Sequence, residues 1–202
     1  MGTVVDRGHA WDMTTSTLKP ALTPALTPAR SAADRVPVLA LVAPLLLFTH
    51  GIALWVDGLD DSGGRGPLAV TAGALLVLST AAFAWLATSL GARAEHLPVA
   101  VPTGLVAAFG AGATGSVWLG RLTGFLPETV PAALGSGGQV LTALALGLAL
   151  STTMIEGRMP ARSLALAGGA AVVLALPWGL EPLGALVLLI ALAPLTRPVD
   201  PR

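Results

Sequence analysis

The chain has 202 residues, of which 54% are hydrophobic and only 11% charged. A soluble domain carries about a quarter charged residues, so this composition points to lipid as the main solvent, at a length that suits one membrane domain. Basic and acidic residues balance at 11 each, which leaves no basic footprint for nucleic acid, and the absence of cysteine excludes disulfides, thiolate metal sites and cysteine nucleophiles.

Residues 1–35 differ in kind from the rest. The stretch "STLKPALTPALTPARSAADR" is dense in Pro, Thr and Ala, and proline at this density opposes helix and favours extended, solvated chain. A disordered cytoplasmic tail is expected, with Met13 as an alternative start. A cleaved signal peptide is not expected, because the first apolar run begins only after Arg35 and is too long for an h-region.

Apolar runs follow at 36–56, 67–90, 97–120 and 130–153, none with a Lys, Arg, Asp or Glu in its interior. Each has the roughly 20 residues a helix needs to cross about 30 Å of hydrocarbon. The last run, 163–195, is too long for one straight span and is broken by "PWGLEP". It reads as two short spans, 163–178 and 181–196, or as a re-entrant hairpin that enters and leaves on one side. The expected fold is therefore an all-α, polytopic integral membrane helical bundle of about six transmembrane helices, the last two short. The membrane domain covers 36–196, and residues 197–202 form a short cytoplasmic tail.

Charge asymmetry sets the orientation. With the N-terminus inside, Lys19, Arg30, Arg35, Arg93, Arg158, Arg162, Arg197 and Arg202 are cytoplasmic, and Arg65 and Arg121 lie outside with Asp57, Asp60, Asp61 and Glu128. Both termini are then inside, and the two models of the last run give the same count. Trp55, Trp118 and Trp178 fall at outer boundaries and Trp85 near an inner one, where amphipathic rings settle. A single lysine among many Ala, Arg and Gly residues is a GC-rich composition, and the expected location is the plasma membrane, the inner membrane of a bacterium. A faint repeat sets "TAG" at 71–73 against "SGG" at 136–138, with Arg93 and Arg158 each 22 residues on.

Among polar residues in the spans, His50 lies in the outer half of the first, and such groups usually face the bundle interior. No other histidine falls within a span, since His9 is in the tail and His96 in an inner loop. No metal site and no cofactor are expected. The bland reading of His50 is a ring that donates to a neighbouring backbone carbonyl. Gln139 sits near mid-depth in the fourth span and requires partners, with Thr114, Ser116 and His50 as candidates. Glu181 is an ordinary surface acid if two spans form, and a functional suspect if the hairpin holds it inside. The third span carries Gly104, Ala108, Gly112, Ser116 and Gly120 at intervals of four. Small residues at this spacing let helix backbones approach closely, within the bundle or against a partner. The acidic loop at 57–66 fails as a calcium loop, because Leu68 stands where the twelfth-position glutamate belongs. HExxH, GxSxG, Walker and GxGxxG patterns are all missing.

Two functional readings remain. The first is a non-enzymatic packing or accessory subunit of a larger membrane assembly, its partners being lipid, other subunits or a second copy. The second is a transporter or channel component with an outward-facing polar cavity around His50 and Gln139. Scarce intramembrane charge favours the first.

Overall fold

The computed structural model describes residues 28–58, 66–94, 99–127, 131–175 and 180–197. The expectations that concern residues 1–27, with His9, Met13 and Lys19, and those on Asp60, Asp61, Arg65, His96, Glu128, Trp178 and Arg202, lie outside the described residues.

Six α-helices carry the described chain: α1 Pro28–Asp57, α2 Pro67–Gly91, α3 Ala100–Leu122, α4 Ala132–Ile155, α5 Ala161–Ala175 and α6 Glu181–Leu192, which tightens into a 3₁₀ turn over Ala193–Thr196. Helix α1 begins eight residues ahead of Val36, so residues 28–35, assigned to the tail from sequence, are helical. The other helices start and stop within three residues of the expected spans, except α6, whose α-helical part ends four residues before 196 and continues as the 3₁₀ turn. Four helices are long and apolar enough to cross a membrane, whereas α5 and α6 are shorter apolar helices.

Local chemistry explains how so polar-poor a chain keeps its hydroxyls and prolines. Pro67 and Pro182 occupy first-turn positions, where the missing N–H has no helical partner to lose. The hydroxyls of Thr49, Thr71, Thr80, Thr114, Ser116, Thr142 and Ser151 each donate to the carbonyl four residues back. A hydroxyl satisfied within its own helix needs no water. Helix α4 ends at Gly157, whose φ of 71° lies in the left-handed region that suits glycine.

Helix α2 is central, packing on α1, α3 and α4, while α6 packs on α1 and α5, and α5 touches α4 only lightly. The closest approach joins α3 to α4. A Cβ on Gly110 would stand 2.6 Å from the Gly138 carbonyl oxygen and 2.8 Å from the Thr142 nitrogen. A Cβ on Gly138 would meet the Gly110 carbonyl at 2.5 Å and the Thr114 nitrogen at 2.7 Å. The contact is reciprocal: each helix offers a Gly-xxx-Thr step, and each threonine lies over the other helix's glycine.

The two ends of the bundle differ. At one end Arg158 Nη1 donates to the Arg93 carbonyl at 3.0 Å and pairs with Glu156 at 3.5 Å. There also the Arg35 guanidinium lies 5.2 Å from the centre of the Trp85 ring, and Arg162 and Arg197 flank one groove. Just inside this arginine end sits the apolar core, built on Val36, Ala40 and Ala43 of α1, Leu86 and Leu90 of α2, Ala149 and Leu150 of α4, and Ala191 and Leu192 of α6. The outer surface is apolar too: Val101, Leu105, Phe109, Leu144, Ile155 and Ile190 are all more than 60% exposed. Soluble monomers rarely leave such continuous apolar surface.

Candidate functional site

Away from the core, the helices enclose a half-open cavity of about 540 Å³ between α1, α2, α4, α5 and α6. Its cause is helix length and spacing. Helix α5 stands off from α4, and α6 begins late. A Cβ on Gly51 would lie 2.9 Å from Pro182, so the start of α6 sits at the level of Gly51. That is six residues, or ~9 Å, short of the end of α1 at Asp57.

The cavity gathers residues far apart in sequence. His50 comes from α1, Ser79 and Thr80 from α2, Gln139 and Thr142 from α4, and Glu181 from the first turn of α6. Toward the arginine end the wall becomes apolar, with Phe83, Leu146, Leu150, Leu164 and Leu188. The cavity is therefore amphipathic along its axis. From Gln139 to Leu150 it follows α4 for 11 residues, ~16 Å.

His50 is buried, and its Nδ1 stands 2.8 Å from the Ala72 carbonyl oxygen. A carbonyl only accepts, so Nδ1 carries the proton in this contact, and Nε2 of the neutral ring keeps a lone pair. The bond to a backbone carbonyl anticipated for this residue is present, and the ring lines the cavity as well. Glu181 is half-buried and lines the same cavity as the ring.

Hydroxyl protons around the cavity are committed elsewhere. Ser79 donates to the Ala43 carbonyl at 3.1 Å, Thr80 to Leu76 at 2.8 Å and Thr142 to Gly138 at 3.0 Å. Gln139 is half-buried in the wall and has no hydrogen bond to a described residue, so the expected bonds to Thr114, Ser116 or His50 are not formed. Ser136, at the rim, is engaged.

Thr114 and Ser116 are not brought to the cavity. Thr114 packs in the α3–α4 contact, and Ser116 is exposed, bonded to the Gly112 carbonyl at 2.8 Å. The stripe that contains Ser116 lies mostly outside the bundle's own contacts. Ala108 and Gly112 are exposed, a Cβ on Gly112 would have nothing within 4 Å, Gly104 would meet only Thr88, and Gly120 packs on Leu126 of the following turn. The row that α3 buries is Thr103, Ala107, Gly110 and Thr114. The hints of that row were Gly110-xxx-Thr114 and Gly138-xxx-Thr142, which the longer stripe overshadowed. Ser79 and Thr80 were also missed; a polar pair in mid-run was the available signal. The hairpins of the faint repeat are not equivalent, since α2 and α3 pack closely while α4 and α5 are parted by the cavity. No group of three or more His, Cys, Asp or Glu that could hold a metal occurs among the described residues.

The fold is an all-helical bundle with four candidate membrane-spanning helices. No family model, no curated protein and no solved structure matches the chain.

Proposed function

We propose that the chain is a multi-pass protein of the plasma membrane, in a bacterium, with both termini in the cytoplasm, and that its cavity holds a small amphipathic molecule as the binding component of a transporter. The observation that carries this is the convergence of His50, Gln139 and Glu181, from three helices, on one cavity of about 540 Å³ with an apolar far wall. Ligand sites are typically concavities of about 300–1,000 Å³, mostly apolar with a few convergent polar groups. The orientation is supported by the gathering of Arg35, Arg93, Arg158, Arg162 and Arg197 at one end, with Arg121 at the other. The apolar exterior supports lipid as solvent.

The test is to fill the cavity. Gly147 and Gly168 line it, and a Cβ on either would meet nothing within 4 Å. In proteoliposomes the wild-type chain should retain labelled n-octanol in a saturable manner beyond protein-free vesicles, and Gly147→Leu/Gly168→Leu should remove that component while leaving the helical circular dichroism spectrum intact. Equal saturable retention by the filled variant would refute the reading.

A second reading, an accessory subunit, is favoured by one observation: Val101, Leu105 and Phe109 of α3 are about 70% exposed beside the small residues Ala108 and Gly112. An interface there predicts that Gly112→Leu abolishes a cross-linked or native-mass oligomer; an unchanged oligomer removes this reading.

A further inference from the structure

The cavity's polar wall is unbalanced between donors and acceptors. The hydroxyl protons of Ser79, Thr80 and Thr142 are bonded to backbone carbonyls, so none of the three offers the cavity a donor. His50 donates its Nδ1–H in a hydrogen bond to the Ala72 carbonyl, so the neutral ring has an acceptor left at Nε2. Glu181 adds a carboxylate, which only accepts. Against these acceptors, the Gln139 amide is the one lining side chain with N–H groups uncommitted among the described residues.

An apolar environment makes such lone pairs costly to leave unmet. The occupant that meets them brings donors of its own, and positive charge against Glu181. From this donor deficit we propose that the cavity is a binding site for a lipophilic amine in its protonated form, with the ammonium between Glu181, His50 and Gln139 and the hydrocarbon body directed toward Phe83 and Leu150. An ammonium offers three N–H donors and no acceptor. It forms charge-assisted hydrogen bonds with the carboxylate, roughly twice as strong as neutral ones. An alcohol of the same chain offers one donor, and a carboxylate offers none and sets like charge against Glu181. This assignment rests on the proposed role of the cavity and specifies its ligand class.

The experiment compares three molecules of one chain length in wild-type proteoliposomes by equilibrium dialysis against protein-free vesicles: n-octylamine, n-octanol and n-octanoate. Saturable binding is expected to be about tenfold tighter for the amine than for the alcohol, and undetectable for the carboxylate. Glu181→Gln should bring the amine down to the level of the alcohol and leave the alcohol unchanged. If amine and alcohol bind equally, or if the amine is indifferent to Glu181→Gln in a variant with wild-type circular dichroism, the amine assignment is wrong while the cavity reading stands. If none of the three binds saturably, both fail. The comparison of head groups on the wild-type protein does not depend on how any variant folds.

Discussion

Toward the arginine end, Leu86, Leu90 and Leu192 are fully buried in one core with Val36, Ala40 and Ala43. Toward the other end, equally small and aliphatic residues of α4 and α5 part to leave about 540 Å³ open. The two halves share residue types, so hydrophobicity does not explain the contrast. Helix length and approach distance do. At the sealed end the 3₁₀ turn after α6 also packs on α1. At the open end α6 starts at the level of Gly51 and α5 stands away from α4, so among the described residues no helix fills the space.

That contrast can be broken or sharpened by substitution. The largest effect is expected at the α3–α4 contact. Gly110→Leu drives a side chain into the Gly138 carbonyl and should destabilise the bundle by about 3 kcal/mol in a detergent denaturation series. Gly112→Leu, two residues on, should change stability by less than about 0.5 kcal/mol in the same series. Next comes the sealed half: Leu86→Ala empties a fully buried position and should cost about 2–3 kcal/mol, measured the same way. Ser79→Ala, which removes the α2–α1 hydrogen bond to the Ala43 carbonyl, should cost about 0.6 kcal/mol. The smallest stability change is expected at Gly168→Leu, within about 0.5 kcal/mol, because the new side chain enters open space. A loss at Gly168 as large as that at Leu86 would show both halves equally packed and dissolve the distinction.

Much of the fold was legible because the membrane reading needs only length and apolarity. The runs at 36–56, 67–90, 97–120 and 130–153 became helices with nearly those bounds, and "PWGLEP" separated two short ones. The site was legible in part. His50, Gln139 and Glu181 were singled out because polar side chains in apolar runs require partners, and they line one cavity. Thr114 and Ser116 were placed with them by depth along their helix, but a hydroxyl that bonds its own carbonyl needs no shared site. The stripe through Gly112 was chosen for regularity. Regular spacing shows that a helix has a smooth face and is silent on which neighbour meets it, and α4 met the row through Gly110 instead.

What composition and order determined by themselves was the number of helices, their ends and the rare polar groups they had to accommodate, because those depend on the local match of side chain to solvent. Which glycines touch, whether Glu181 lines the same cavity as His50, and where that cavity opens were decided by how the helices pack. Those outcomes depend on rotation about each helix axis and on the offset of α6 along α1, neither of which local sequence encodes.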